Sequence, residues 1–320
     1  MEETLYLNNS LIITYKNCKI TLIVKYDSNN LYKEGNWKLL KTDFTIFIQL
    51  IREVIINLHF IILCIYLEMK LIGANLSAMQ FKEIADKMES ESAQEILKWA
   101  LDAYAPRIAL ASSFGAEDIV LIDIMTRIDR EKTKVFTLDT GRLNQETYNV
   151  IDDIRRKYNI QIEAYFPAQA EVEEMVRVKG MNLMYDSVEN RKLCCEIRKV
   201  HTLNRALSKL DGWITGLRRE QAITRANIKK IEIDSAHGNI IKLNPLADWT
   251  NEMVWDYIHK NSVPYNKLHD MGYPSIGCEP CTRAIQPGED PRAGRWWWES
   301  DTSHKECGLH WDPTKYTKSS

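Results

Sequence analysis

From residue 80 onward the apolar positions change period along the chain, and each change marks an element. Between Gln80 and Tyr104, Phe81, Ile84, Met88, Ile96, Leu97 and Leu101 recur at helical spacing in a broken stripe. Arg107 to Ser112 is a short buried-strand pattern. Ser113-Phe-Gly-Ala-Glu-Asp reads as a turn, and Ile119 to Ile128 as a helix. Lys134 to Leu138 predicts a second strand, followed by an Asp139-Thr-Gly-Arg loop. A helix over Gln145–Tyr158 and a strand over Ile160–Phe166 come next, and Pro167 ends the strand. Glu189 to Leu207 reads as one helix, and Trp213–Gly216 and Ile240–Leu243 as further short strands. From Pro264 the pattern dissolves into loop and short helix rich in Pro, Gly, Cys and Arg. Strands alternating with helices predict βαβ units and a mostly parallel sheet flanked by helices, an α/β fold.

Residues 1–78 do not share this grammar. They contain no proline, thirteen isoleucines and only two alanines, Ala74 and Ala78. Glu2 and Glu3 stand where a signal peptide would be basic. The apolar run Val54–Leu67 is shorter than the roughly 20 residues a membrane span needs. The expectation is a 1–78 extension that is accessory, poorly ordered or a mis-called start, with the working domain over 79–320 and no stable membrane association. Cys18 and Cys64 read as incidental thiols.

Composition narrows the chemistry. With 42 Lys+Arg against 44 Asp+Glu, the net charge of −2 excludes a strongly basic nucleic-acid binder. Any anionic ligand must be met by a local cluster of cations. The 320 residues can bury a core without disulfides, and nothing suggests secretion; four of the seven cysteines sit as an adjacent pair and a C-x-x-C, a pattern that reads as metal or redox chemistry in a reducing, cytoplasmic setting.

In an open parallel sheet, ligands bind beyond the carboxyl ends of the strands. Two loops fall there: Ser112-Ser113-Phe-Gly-Ala-Glu-Asp and Leu138-Asp-Thr140-Gly-Arg. The first leads into a helix whose N-terminal N–H groups suit a phosphate, although an ordinary βα turn would look the same. The G-x-G-x-x-G and G-x-x-x-x-G-K-[ST] patterns are both missing, against a dinucleotide site or a Walker-type NTPase.

Cys194 and Cys195 are adjacent on a helical segment, and Cys278-Glu-Pro-Cys281 lies in a Gly/Pro-rich loop. Four thiolates suit a tetrahedral zinc ion or an iron–sulfur cluster. Adjacent helical side chains diverge by about 100°, which suits a cluster at least as well as one zinc. Cys307, in Glu306-Cys-Gly-Leu-His310, stands apart as a candidate nucleophile or a plain surface thiol. Arg218, Arg219, Arg225, Arg283, Arg292 and Arg295 offer fork-shaped donors to phosphate or sulfate, and Lys199 lies one turn past Cys195. The Trp296–Trp298 run cannot present three rings on one face and reads as mixed burial.

Ser113-Phe-Gly-Ala-Glu-Asp, Leu138-Asp-Thr-Gly-Arg, Cys194-Cys195, Thr215-Gly-Leu-Arg-Arg-Glu, Asn244-Pro-Leu, Cys278-Glu-Pro-Cys281 and Glu306-Cys-Gly-Leu-His310 occur together in this order. In this the chain resembles the iron–sulfur type of assimilatory adenylyl-sulfate reductase, within the adenosine 5′-phosphosulfate/3′-phosphoadenosine 5′-phosphosulfate reductase family. The resemblance covers about Met79 to Trp311. It implies an adenine nucleotide α-hydrolase-like fold with a modified pyrophosphate loop. It implies a [4Fe-4S] cluster on Cys194, Cys195, Cys278 and Cys281. It implies a substrate pocket near Ser112, Ser113, Leu138, Thr140, Lys199, Gly216, Arg218, Arg292 and Arg295, with His310 helping to hold the tail. Cys307 would attack adenosine 5′-phosphosulfate, and a thioredoxin or glutaredoxin-like dithiol would release sulfite. The chain departs from the family's Ser-Gly-Ala-Glu-Asp loop, because Phe114-Gly115 precede Ala116 and Ser113 stands one place earlier. Two alternatives stay open: the 3′-phosphorylated substrate, and a zinc-stabilised nucleic-acid module that the net charge counts against.

Overall fold

The computed structural model describes residues 79–299 and three strands near the N-terminus, 3–7, 10–15 and 20–25. The chain divides into two units, Met1–Lys82 and Glu83–Ser320. In the first, β1 (Glu3–Leu7), β2 (Ser10–Tyr15) and β3 (Ile20–Lys25) form an antiparallel meander. The pattern had suggested no elements in this stretch. The apolar run Val54–Leu67, Cys18 and Cys64 lie outside the described residues. Among the described residues no helix is long and apolar enough to cross a membrane.

The second unit is built on a six-stranded sheet in the order β6-β5-β4-β7-β9-β8. Its strands are β4 (Ile108–Ala111), β5 (Val135–Leu138), β6 (Ile162–Tyr165), β7 (Gly212–Ile214), β8 (Ile231–Asp234) and β9 (Ile240–Leu243). Five are parallel, and β8 closes one edge antiparallel to β9. The pattern missed β8, a four-residue edge strand whose Glu232 and Asp234 interrupt its apolar residues. The chain runs from β4 outward to β5 and β6, then returns to place β7 on the other side of β4. That reversal opens a crevice beyond the strand ends, between β4 and β7.

The helices divide more finely than the stripe implied. The single expected helix over Gln80–Tyr104 is two, a helix over 79–88 and α1 (Ala93–Tyr104). The break is chemical: Ser92 caps α1 by accepting from Glu95 N, while Glu95 accepts from Ser92 N, a reciprocal capping box. α2 (Ala116–Asp129) is the central helix, buried from Asp118 through Met125. Inside it Asp123 accepts hydrogen bonds at 2.7 Å from Tyr158 of α3 (Gln145–Tyr158) and from Tyr257. Both tyrosines thereby tie their helices to α2. α4 (Gln169–Lys179) and α7 (Asn251–Lys260), the helix that carries Tyr257, were not predicted.

The expected helix Glu189–Leu207 is helical throughout but not uniform. α5 (Val188–Cys195) ends at the second cysteine, a π-helical turn spans Glu196–Val200, and α6 (His201–Leu207) resumes the α pitch. Such wide turns concentrate at functional sites.

Candidate active site

A cleft of about 970 Å³ opens at the crevice. It is floored by the ends of β4, β5 and β7, through Ala111, Leu138 and Thr215, and walled by the cysteine- and arginine-rich loops after Pro264. Ser112, Ser113, Leu138, Thr140, Lys199, Gly216, Arg218, Arg292 and Arg295 all line it. Cys307 and His310 lie outside the described residues.

The loop from β4 to α2 is shaped by Phe114. Phe114 is wholly buried and sits at φ +58°, a left-handed conformation that costs a bulky residue about 1–2 kcal/mol. Three bonds hold the turn: Phe114 N–H donates to Ser112 Oγ at 3.0 Å, and Ser113 donates through N and Oγ to Asp118 Oδ2 at 2.6 and 2.9 Å. Ser113 is thus bound to the helix's own first turn. Burial pushes the Asp118 carboxyl up to about 6, against these bonds from Ser113. Gly115, the N-cap of α2, has no side chain to cap the helix's first turn, which lies beside the cleft.

On the facing wall, Gly216 is required by contact. A Cβ there would lie 2.4 Å from Asp118 Oδ1 and 2.9 Å from Glu117 Cβ. Arg218 is buried, with Nε donating to Glu117 at 2.8 Å and Nη1 to Glu220 at 2.9 Å and the Trp249 carbonyl at 3.3 Å. Much of its donor capacity is therefore spent on protein carboxylates. Glu117 was not foreseen; an acid in a helix's first turn reads as ordinary dipole complementation. The cleft residues Trp255 and His269 were also missed. Their rings meet edge to face at 5.1 Å, and His269 Nε2 is buried without a partner.

Beside the cleft lies a second, smaller cavity of about 20 Å³ lined by Cys194, Cys195, Cys278 and Cys281. All four are buried and outside any disulfide. The tandem pair diverges as helix geometry requires. Cys194 packs with Met175 and Leu183, whereas Cys195 packs with Met184, Cys278, Cys281 and Trp296. Among the described residues no three Cys, His, Asp or Glu side chains are arranged to hold a metal ion. The thiols thus border a space rather than converge on one point.

The surroundings are cationic and rich in donors. Thr140 Oγ1 lies 3.2 Å from Cys278 Sγ. Three buried N–H groups have no partner: Arg198 Nε, Arg295 Nε and Trp296 Nε1. Burial opposes ionisation of Cys278, but Lys199, the Thr140 hydrogen bond, Arg295 and Arg198 outweigh it and hold the thiol below its ordinary value. Burial, helped by Cys278, pushes Cys281 up to about 11, and burial also raises Cys194. One thiol of the set is primed to ionise, and each ionisation resists the next.

Lys199, Cys278 and Trp296 line both cavities and form the wall between them. Trp296 is 1% exposed and Trp297 50% exposed, the mixed burial expected of the tryptophan run. The guanidinium carbons of Arg191 and Arg295 lie 4.6 and 4.8 Å from the Trp296 ring centre. Arg295 reaches the cleft across Gly277, where a Cβ would stand 2.4 Å from its Nη2. Its Nη1 donates to Ser275 Oγ and the Ile276 carbonyl at 3.3 and 3.4 Å.

Comparison with known proteins places this geometry. The Phosphoadenosine phosphosulfate reductase domain matches residues 107–284. The chain is 53% identical over 204 residues to an adenosine 5′-phosphosulfate reductase of Burkholderia cepacia, covering 64% of this chain and 80% of that one. It is 51% identical over 203 residues to the Allochromatium vinosum protein of the same name, covering 63% and 78%. A crystal structure of phosphoadenylyl-sulfate reductase from Candida auris superposes with a TM-score of 0.55 at 27% identity, over 64% of this chain and 96% of that one. The fold is of the adenine nucleotide α-hydrolase-like class, and the site is that of an oxidoreductase acting on sulfur. The chain belongs to the adenosine 5′-phosphosulfate/phosphoadenosine phosphosulfate reductase family.

Proposed function

We propose that this protein reduces adenosine 5′-phosphosulfate to sulfite and AMP, drawing two electrons from a thioredoxin-type dithiol, in cytoplasmic sulfate assimilation. One observation carries the reading: Lys199 stands in the wall shared by the nucleotide-sized cleft and the four-cysteine cavity. The identities to proteins named adenosine 5′-phosphosulfate reductase support the unphosphorylated substrate.

The cysteine set fits an iron–sulfur cluster. Four buried thiols border a space, a tandem pair points into different packing environments, and unpartnered N–H donors stand nearby for electron-rich sulfur. Cys194, Cys195, Cys278 and Cys281 would hold a [4Fe-4S] cluster, which when bound supplies a fixed local field and a tie between the two cysteine-bearing segments.

The chain's own residues carry the reaction. The loop Ser112–Gly115 and the uncapped start of α2 receive the nucleotide, and Gly216 lets the opposite loop close on it. Lys199, Arg292 and Arg295 offset charge on phosphate and sulfate oxygens as the bond between them breaks. The Cys307 thiolate attacks the sulfate sulfur; the sulfur–oxygen bond to phosphate breaks, AMP leaves with the electron pair, and an S-sulfocysteine remains. A dithiol thiolate then attacks Cys307 Sγ, expelling sulfite, and its second thiol resolves the mixed disulfide. The dithiol is oxidised and the transferred sulfur is reduced by two electrons.

The test is sulfite release from adenosine 5′-phosphosulfate and from its 3′-phosphorylated analogue, with thioredoxin and its reductase. Turnover favouring the first substrate is expected. Preference for the second would reverse the substrate assignment, and turnover of neither would overturn the reading.

A further inference from the structure

In the cleft wall, Glu117 and Gln221 form a chain of hydrogen bonds that ends on a cleft arginine. Glu117 Oε1 accepts from Arg218 Nε at 2.8 Å and from Gln221 Nε2 at 2.9 Å. The same Gln221 amide donates to the Gly216 carbonyl at 3.3 Å. Its oxygen accepts from Arg218 N at 3.1 Å and from Arg225 Nη1 at 2.5 Å. Glu117, Gly216, Gln221 and Arg225 all line the cleft.

An amide with donor and acceptor both engaged has a fixed orientation. Glu117 takes the N–H side of Gln221, so the oxygen side is turned to Arg225. A guanidinium is a planar fork, and its value to an anion depends on the plane being set beforehand. Glu117 is itself fixed, in the first turn of α2 and paired with the buried Arg218. The relay therefore joins the loop that starts α2 to a cleft-lining arginine more than a hundred residues later.

We infer that Glu117 and Gln221 are positioning residues that orient Arg225 toward the phosphate or sulfate oxygens of the bound nucleotide. The inference rests on the functional reading above and adds residues to it. Neither Glu117 nor Gln221 touches the reacting atoms; both act through Arg225.

The test is a double-variant cycle. Gln221→Met keeps the side chain's length, leaves the Arg218–Glu117 pair in place and cuts the relay. It should raise KM for adenosine 5′-phosphosulfate about tenfold, the scale of one hydrogen bond to a charged group, with kcat within about twofold. Gln221→Glu keeps an oxygen for Arg225 but cannot donate to Glu117 and sets a second carboxylate against it, so it should not restore that loss. In an Arg225→Ala background, Gln221→Met should add less than about twofold. Glu117→Gln, which keeps an acceptor oxygen, should fall between wild type and Gln221→Met. The same cycle read by calorimetry as the Kd for AMP separates the oxygens: an effect on both ligands assigns Arg225 to phosphate, and an effect on the sulfonucleotide alone assigns it to sulfate. Turnover is not needed for the AMP arm, so loss of activity in wild type would count against the functional reading without touching the relay. Unchanged affinity for both ligands in Gln221→Met, or full additivity with Arg225→Ala, would overturn the inference.

Discussion

Thr140 Oγ1 and Cys278 Sγ lie 3.2 Å apart, and this contact joins the loop after β5 to the C-x-x-C loop. Thr140 is 1% exposed, and its carbonyl also accepts from Arg198 Nη1 at 2.6 Å. The residue thus serves the cysteine cavity with its side chain and the π-helical turn with its backbone. Replacing it with valine keeps the shape and removes the hydroxyl. Cys278 should then lose one of the interactions that hold its thiol below the ordinary value. The expected effect is about 1 kcal/mol, or roughly a fivefold slower alkylation of Cys278 at neutral pH in metal-free protein. Peptide mass spectrometry after timed alkylation measures it. An unchanged rate at Cys278 would mean the hydrogen bond does not stabilise the thiolate.

Cys278 and Cys281 flank a short turn that also carries contacts to both neighbouring loops: Glu279 N–H donates to the Arg142 carbonyl at 2.8 Å, and Tyr185 donates to the Pro280 carbonyl at 2.7 Å. Replacing either cysteine with serine should abolish iron binding and lower soluble yield, because ligand binding and folding of this loop are coupled. Iron and sulfide analysis and the visible spectrum check this. Full iron content in either variant would remove that residue from the ligand set, and a colourless wild-type protein containing zinc would replace the cluster altogether.

The parallel core was legible because each strand from β4 to β7 is a short apolar run followed by a turn signal, and Gln145–Tyr158 emerged with the predicted bounds. Motif order singled out the four cysteines and the residues from Ser112 to Arg295 that the fold brings to two adjoining cavities. What the pattern could not carry is the partnership between distant residues. Arg218 looks like any anion-binding arginine in sequence, yet it bonds to Glu117 across the cleft wall. The π-helical turn over Glu196–Val200 is only five residues long, too short for a hydrophobic period to reveal it. The short edge strand β8 and helix α4, which buries only Met175, have little apolar surface to announce them.

Asp118 makes stability depend on pH in an unusual direction. Its carboxyl rises from 3.8 to about 6, chiefly through burial. The folded state therefore holds a proton that the unfolded state releases. The stabilisation is complete below about pH 4 and is lost as pH rises through about 6, a difference of about 3 kcal/mol by linkage. Asp118→Asn keeps an acceptor oxygen for the Ser113 N–H and hydroxyl but cannot titrate. Its unfolding free energy should lack this component between pH 4 and 6, so that the variant gains relative to wild type as pH rises. Denaturant titrations across that range measure the difference. A constant gap between the two proteins from pH 4 to 7 would show that Asp118 stays ionised when folded.

Cys307 is the last element of the mechanism, and its test separates chemistry from binding. Cys307→Ser should abolish sulfite production while leaving nucleotide affinity and iron content near wild type, since the residue is outside the four-cysteine set. A serine hydroxyl stays protonated near neutral pH and is a poor nucleophile at sulfur, so the loss should exceed about a thousandfold. Wild-type protein incubated with adenosine 5′-phosphosulfate and no reductant should gain one sulfonate, releasing one equivalent of AMP. Peptide mass spectrometry places the adduct, and added thioredoxin should discharge it as sulfite. Because the adduct forms before any electrons arrive, AMP release without reductant should be stoichiometric rather than catalytic. Continuous AMP release without reductant, an adduct on Cys194, Cys195, Cys278 or Cys281, or turnover by the serine variant would each require a different nucleophile.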